Sequence, residues 1–128
     1  MNFKDKVVIV TGGTRGIGLE VAKSFYEKEA NVIIFGSKKE SVDKAVEELS
    51  KDNILVEGYY PNLNNYQEVV ETIDKIYNKY KKIDVLINNA GISANKKIED
   101  TTSEEFMHIM DIDINAMYNT SKAVTIYM

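Results

Sequence analysis

Short apolar runs alternate with longer amphipathic stretches along this chain. The apolar runs, at residues 7–10, 32–35, 55–59 and 85–88, predict strands of a largely buried sheet. Apolar positions recur at i, i+3 and i+4 over residues 17–29, 39–51, 65–81 and 102–127, which predicts helices. Strands separated by helices of this length indicate right-handed crossovers and a parallel sheet.

The segments predict a doubly wound α/β domain over residues 1–128, with strand order 3-2-1-4. Asn65 with Glu68, and Thr102 with Ser103, have the residue types that begin helices. In such a fold the ligand crevice lies at the carboxyl ends of the strands, where the winding reverses. We therefore expect it between strands 1 and 4.

A glycine-rich turn follows the first strand and opens directly into the first helix. Backbone N–H groups and the positive end of the helix dipole would converge there on an anion. Gly12 and Gly16 would let the backbone approach a pyrophosphate, and Gly18 would let the helix pack tightly. The turn predicts a nucleotide site, although the same glycines could also form a tight turn without a ligand.

Composition narrows the function classes. The net charge of -4 argues against a nucleic-acid partner, which normally meets a basic face. The absence of cysteine excludes disulfides and thiolate metal sites, and one histidine, His108, with scattered carboxylates has no metal-ligand spacing. No apolar stretch approaches membrane-spanning length and none resembles a leader, so we expect a cytoplasmic protein. We expect His108 to be half-exposed and the methionines of the last helix, Met107, Met110, Met117 and Met128, to form a packing face.

The end of the second strand bears on the choice of cofactor. An acidic residue there would hold the ribose hydroxyls of NAD and repel a 2′-phosphate. This chain has Gly36, Ser37 and Lys38 instead, and Ser37, Lys38 and Arg15 together could neutralise a 2′-phosphate. The sequence therefore favours NADP(H) over NAD(H). Alternatively, Lys38 and Lys39 are solvated residues that start a surface helix, and for Lys39 we prefer this interpretation.

The pattern T-G-x-x-x-G-x-G at residues 11–18, with Asn88-Asn89-Ala90-Gly91 after the fourth strand, closely resembles the short-chain dehydrogenase/reductase family. The resemblance extends over all 128 residues and implies a Rossmann-type three-layer sandwich. Residues 12–18, 34–36 and 105–112 look most like bile-acid 3α-hydroxysteroid dehydrogenases, and 3-oxoacyl carrier-protein reductases share most of these features. The implied activity is NAD(P)(H)-dependent oxidation or reduction of an alcohol or ketone, and a hydroxysteroid is one such substrate.

The resemblance also implies roles for individual residues. Ile17 would lie against the nicotinamide, and residues 89–91 would pass beside the adenosine ribose. Asn88 would belong to this loop, or its amide would mainly tie neighbouring strands together. The full set of implied cofactor contacts is Gly12, Thr14, Arg15, Gly16, Ile17, Gly18, Ser37, Lys38, Asn62, Leu63, Asn89, Ala90 and Gly91.

The chain departs from the family pattern at three points. The family's adenine-contacting aspartate falls on Asn62, whose amide oxygen can still accept the adenine amino proton. The asparagine that holds a water in the family's proton relay falls on Asp113, which would add a negative charge near the expected position of the catalytic lysine. The family's serine and Tyr-x-x-x-Lys, like its strands 5 to 7, would follow Met128. Tyr77 has Lys81 four residues later, but on a crossover helix away from the crevice.

Carbonyl reduction needs a phenol of lowered pKa and a lysine that lowers it. We therefore expect these 128 residues alone to be inactive, as the cofactor-binding half of such an enzyme. A non-catalytic nucleotide-binding or interaction protein derived from the family is the alternative, and Asn62 and Asp113 would fit it. Since the family pairs its fourth and fifth helices between subunits and strand 4 would be an open edge, we also expect a homo-oligomer.

Overall fold

The computed structural model describes residues 1–50 and 56–128. Within these ranges the strands are β1 (Val7–Thr11), β2 (Asn31–Phe35), β3 (Glu57–Tyr59) and β4 (Val85–Ile87). They pair in parallel in the order β3-β2-β1-β4, so the predicted topology is confirmed. Leu55, the predicted first residue of the third strand, lies outside the described residues, and β4 ends one residue before the predicted Asn88.

Helices α1 (Gly16–Tyr26), α2 (Lys39–Leu49) and α3 (Tyr66–Tyr80) connect the strands. The prediction that the first helix runs to residue 29 is wrong. Glu29 has a left-handed φ of 61°, and the N–H of Ala30 donates to the carbonyl of Phe25, so the chain turns toward β2 after Tyr26. The predicted second helix ends at Leu49, and its last predicted residue, Lys51, lies outside the described residues.

The predicted helix over residues 102–127 is divided into three pieces, α4 (Ser103–Met110), a π-helical segment (Asp111–Asn115) and α5 (Ala116–Thr125). A separate 3₁₀ turn, Ile98–Asp100, precedes α4. Thr102 and Glu105 form a reciprocal capping box at the start of α4. A π turn contains an extra residue and often lies at a functional site, and this one carries Asp113.

The central strands β1 and β2 are buried on both faces of the sheet. Successive apolar side chains of a strand point to opposite faces, so both faces of the sheet are apolar. One face packs against α3 and α5 through Val7, Ile9, Ile33, Phe35, Val69, Ile73, Ile76, Ala123 and Val124. The other packs against α1 and α2 through Val8, Val10, Val32, Ile34, Ala22, Ala45 and Leu49. This is the predicted three-layer sandwich. It fixes the carboxyl ends of β1 and β4, from which the two glycine-containing loops emerge.

Candidate functional site

The glycine turn after β1 is as tightly packed as its sequence predicts. Gly12 and Gly16 have left-handed φ values of 65° and 56°. A Cβ on Gly12 would lie 2.9 Å from the Cα of Ala90, and one on Gly18 would lie 2.1 Å from the carbonyl oxygen of Gly12. A Cβ on Gly16 would meet nothing within 4 Å, so this part of the turn faces open space.

The start of α1 retains unsatisfied backbone donors. Arg15 is its N-cap, and the Arg15 side chain forms no capping hydrogen bond; among residues 1–50 and 56–128 no other side chain bonds the first turn. The first N–H groups of a helix lack intrahelical partners, and here they lie beside the open space at Gly16. An anion could accept these hydrogen bonds and would also be stabilised by the helix dipole.

Thr11 joins the glycine turn to the loop after β4. Its buried hydroxyl accepts the N–H groups of Asn89 and Ala90, both at 3.0 Å, and donates to the carbonyl of Ile87 at 3.4 Å. Asn89 reinforces the junction, because its Nδ2 donates to the carbonyl of Gly12 at 3.1 Å. The T-G-x-x-x-G-x-G motif indicates that Thr11 belongs to this turn, but it does not indicate that the side chain of Thr11 joins two loops.

A cavity of about 780 Å³ lies between the two loops and the ends of β2 and β3. Most of the expected cofactor contacts line it, namely Gly12, Thr14, Arg15, Gly16, Ile17, Ser37, Asn62, Leu63, Asn89, Ala90 and Gly91. Gly18 and Lys38 do not: Gly18 packs beneath the turn, and Lys38 is the exposed N-cap of α2. Lining residues that the sequence reasoning missed include Tyr60, Asn64, Glu68, Ile92 and Ile112.

The cavity wall at the end of β2 has no room for a carboxylate at Gly36, the first residue after the strand. A Cβ on Gly36 would lie 2.5 Å from Cγ2 of Thr14 and 2.6 Å from Cγ2 of Val42. Lys39 begins α2 and pairs with Asp43 at 2.5 Å, and this hydrogen bond and charge raise the pKa of Lys39. Its predicted role as a surface residue is consistent with that pairing.

The wall after β3 is built around Asn62. The N–H of Asn62 donates to Oε2 of Glu68 at 2.7 Å, and its Oδ1 accepts the N–H of Asn64 at 3.0 Å. Asn65 caps α3 as expected, with its side chain accepting the N–H of Glu68 at 3.3 Å. The amide oxygen of Asn62 and the carboxylate of Glu68 are therefore neighbouring acceptors at this end of the cavity.

In the part of the chain that the structure describes, the Asn88 side chain connects β4 to α5 and not to a neighbouring strand. Its Nδ2 donates to Oγ of Ser121 at 3.0 Å, and its Oδ1 accepts the hydroxyl of the buried Thr120 at 2.6 Å. The idea that this amide ties strands together is therefore wrong, because the strand ends at Ile87 and the side chain turns toward the helix.

Asp113 lies against the loop that follows β4. Its Oδ1 accepts the N–H of Ile92 at 2.8 Å, and a Cβ on Gly91 would come within 3.1 Å of the same oxygen. In the described part of the chain no ion pair involves this carboxylate. Asp113 thus joins the π segment to the cavity loop while leaving a half-buried negative charge there.

Two tyrosine–lysine pairs have a spacing of four, and neither lines the cavity. Tyr77 stacks on Tyr127 with ring centroids 4.1 Å apart, and Lys81 ends α3. Tyr118 and Lys122 form a second pair, which the sequence reasoning overlooked. The Lys122 ammonium lies 5.7 Å from the Tyr118 ring centroid, on the exposed side of α5.

The remaining sequence predictions concern His108, the methionines of the last helix, metal ligands and membrane-spanning helices. His108 lies among the exposed residues, which is compatible with the expectation of a half-exposed histidine. The expectation that the methionines of the last helix form a packing face is wrong within this chain, since Met107, Met110, Met117 and Met128 are all exposed. Among the described residues no group of three or more histidine, cysteine, aspartate or glutamate side chains could hold a metal, and no helix is long and apolar enough to cross a bilayer.

Comparison with known proteins gives consistent results. The family model described as short chain dehydrogenase matches residues 6–128. A 3alpha-hydroxysteroid dehydrogenase of Mediterraneibacter gnavus is 41% identical over 125 residues, which cover 96% of this chain and 50% of the relative. A 3-oxoacyl-(acyl-carrier-protein) reductase of Thermotoga maritima is 30% identical over 128 residues and is covered to 52%.

Solved structures agree with these relatives. The crystal structure of NAD+-bound xylitol dehydrogenase superposes with a TM-score of 0.92 at 27% identity, over 100% of this chain and 50% of that one. The 2-keto-3-deoxy-D-gluconate dehydrogenase of Streptococcus agalactiae gives 0.84 at 33% identity, over 99% and 48%. The chain spans about half the length of the relatives that it matches. With its glycine turn, its sheet order and this match, the chain belongs to the short-chain dehydrogenase family.

Proposed function

We propose that the cavity binds a nicotinamide adenine dinucleotide and that these residues form the cofactor-binding part of an alcohol or ketone oxidoreductase. The observation that carries the proposal is the uncapped start of α1, which opens beside the bare Gly16 and onto a cavity of about 780 Å³. A pyrophosphate there would accept the free N–H groups of the first turn. A nicotinamide cofactor supplies hydride-transfer chemistry when it is bound.

We assign the rest of the cavity by extension from that anion site. The exposed Ile17 would contact the nicotinamide, and Ala90 and Gly91 would border the adenosine ribose with their backbone. Asn62 and Leu63 would border the adenine. The Asn89 side chain is committed to Gly12, so only its backbone would face the cofactor.

Within this function we propose NADP(H) as the preferred cofactor. The end of β2 presents Ser37 and no carboxylate, and Arg15 lines the same cavity. Lys38 lies outside the lining but follows Ser37 directly, and it is exposed. A 2′-phosphate near these groups would gain charge-assisted hydrogen bonds that NAD(H) cannot form.

Calorimetric titration with NADPH and NADH tests both proposals. We expect NADPH to bind at least about tenfold more tightly, since one charge-assisted contact contributes about 1.5 kcal/mol or more. Arg15→Gln should remove most of this difference while leaving NADH binding unchanged. Lys39→Gln is the matched control, because Lys39 is paired with Asp43 outside the cavity.

The outcomes separate the two levels of the proposal. Tighter binding of NADH would refute the NADP(H) preference and leave the dinucleotide site in place. Failure of both cofactors to bind would refute the dinucleotide site itself.

For the reaction we propose oxidation or reduction of a hydroxyl or keto group, with a hydroxysteroid as one candidate substrate. The relative of highest quoted identity, 41%, is described as a 3alpha-hydroxysteroid dehydrogenase, which supports this choice. Neither tyrosine–lysine pair of the described residues lines the cavity. We therefore propose that these residues bind cofactor but do not transfer hydride by themselves.

We also propose that the protein acts in the cytoplasm and self-associates. Self-association is supported by exposed apolar side chains along α4, the π segment and α5, among them Phe106, Met107, Ile114, Met117 and Tyr118. A contiguous apolar face of this kind recruits a partner surface.

A further inference from the structure

We infer that Glu68 reads the 6-amino group of the cofactor's adenine and makes this site selective for adenine over hypoxanthine. The inference rests on the proposed dinucleotide function. It concerns a carboxylate that lines the cavity from the first turn of α3.

The direction of the adenosine half follows from the anion site. In doubly wound folds the pyrophosphate lies at the start of the first helix, and the adenosine ribose lies at the end of the second strand. The base then continues toward the next strand of the sheet, which here is β3. The cavity wall beyond β3 consists of Tyr60, Pro61, Asn62, Leu63, Asn64 and Glu68.

Glu68 is held in a defined position by one of its two carboxylate oxygens. In a usual capping box the carboxylate of the third helical residue accepts the N–H of the N-cap residue. Here the N–H of Asn65 donates to the carbonyl of Asn62 at 2.9 Å, and Oε2 of Glu68 accepts the N–H of Asn62 at 2.7 Å. Oε1 has no hydrogen-bond partner within residues 1–50 and 56–128.

Asn62, the other candidate for this contact, is the weaker acceptor. Its Oδ1 already accepts the N–H of Asn64 at 3.0 Å. An ionised carboxylate accepts hydrogen bonds only and forms charge-assisted ones that are roughly twice as strong as those of neutral groups. Adenine presents an amino donor at position 6, whereas hypoxanthine presents an oxo group that the carboxylate would repel.

Two dinucleotides test the inference directly. NADPH and its hypoxanthine analogue, reduced nicotinamide hypoxanthine dinucleotide phosphate, are titrated separately into the chain by calorimetry. We expect NADPH to bind about 10- to 100-fold more tightly, which is the range for a hydrogen bond to a charged group.

The variant Glu68→Gln should remove or reverse this preference. Its amide oxygen would accept the Asn62 N–H, so its NH₂ group would point toward position 6 and favour the oxo group. Glu71→Gln is the matched control. It makes the same change of charge one helical turn later, at a carboxylate that is exposed like Glu68 but does not line the cavity. Within residues 1–50 and 56–128 this carboxylate accepts from Gln67 alone, at 3.1 Å, and the variant should keep the wild-type preference.

Each outcome decides the matter. Equal affinities of the wild-type chain for the two dinucleotides would overturn the inference while leaving dinucleotide binding in place. An unchanged preference in Glu68→Gln would also overturn it and would assign the reading to Asn62. If neither dinucleotide binds, the proposed function fails and the inference fails with it. Thermal unfolding of Glu68→Gln, compared with the wild-type chain, checks that lost selectivity does not reflect an unfolded α3.

Discussion

At the scale of single residues, Gly16 and Gly18 show that the same residue type serves two purposes two positions apart. Gly16 has a left-handed φ and open space around it, which suits a backbone that faces a ligand. Gly18 contacts the carbonyl of Gly12, which leaves no room for a side chain. Only the second is a packing requirement of the fold.

Gly18→Ala should therefore destabilise the chain more than Gly16→Ala. The Gly18 Cβ would lie 2.1 Å from the Gly12 oxygen, and relieving this overlap should cost about 3 kcal/mol. In Gly16→Ala the only cost is the left-handed φ of the new alanine, which should lower the free energy of unfolding by about 1 kcal/mol. Urea unfolding of both variants measures the difference, and equal losses of stability would contradict the assignment.

Polar residues of the site were harder to assign from sequence than the glycines. Thr11, Asn88 and Asn89 stand in recognisable motifs, but their side chains bind groups that are distant along the chain. A motif shows that such a residue belongs to a loop. It does not show whether the side chain points at a ligand or holds another loop.

At the scale of elements, β3 and α3 are joined by a group of polar side chains around Glu57. This carboxylate accepts from Lys79, from the Tyr80 hydroxyl at 2.5 Å and from the Tyr59 hydroxyl at 3.1 Å. Burial alone would raise the pKa of Glu57, but these hydrogen bonds outweigh it and hold the pKa below its ordinary 4.5. Burial, together with the charge and hydrogen bond of Glu57, raises the pKa of Tyr59 to about 12.

Glu57→Gln should therefore lower stability at pH 7 and have less effect in acid. A carboxylate whose pKa is lower when folded stabilises the folded state above its unfolded pKa, near 4.5, and loses this contribution as pH falls through the folded pKa. We expect a loss of about 1.5 kcal/mol at pH 7, the lower end for hydrogen bonds to a charged group. Urea unfolding across pH measures it.

The exposed Glu47 of α2 provides the control for this measurement. Glu47→Gln should leave stability nearly unchanged at every pH. A pH-independent loss in Glu57→Gln would show that the Glu57 group acts through packing and not through its charge.

Element boundaries were the part of the secondary structure that the sequence predicted least well. The apolar periodicity continues from residue 102 to 127, yet the π segment interrupts it at Asp111–Asn115. Periodicity reports which face of a helix is apolar, and a single extra residue in one turn barely changes that pattern. The contact of Asp113 with Ile92 is long-range and therefore has no local signature.

At the scale of the whole molecule, the two faces of the sheet differ in how completely the helices around them cover apolar side chains. The α1–α2 side covers Val8, Val10 and Ile34 completely. On the other side, α4 and the outer part of α5 expose large apolar side chains, and β4 is the edge strand of the described sheet. These exposed apolar side chains are the physical reason to expect association.

We predict that replacing Phe106 and Met117 together by glutamate shifts the chain toward monomer. Both side chains are about half exposed, at 54% and 45%, and a charge on each would oppose burial in an interface. Sedimentation velocity over a range of concentrations measures the shift. Ile98→Glu, an exposed apolar position outside the two helices, is the control, and a wild-type chain that stays monomeric at high concentration would refute the prediction.

The strand order, the three-layer arrangement, the glycine turn and the family could all be predicted from the amino-acid sequence. These features follow from patterns that are local in the chain: an apolar run, a helical period and a motif of seven or eight residues. The three-dimensional packing was needed to show that Thr11 joins two loops and that Asn88 binds α5. It also shows that Glu68 lies in the cavity wall with one carboxylate oxygen unpartnered among the described residues. Such partners are set by the packing of elements that are far apart in sequence, and no local pattern records which side chains that packing brings together.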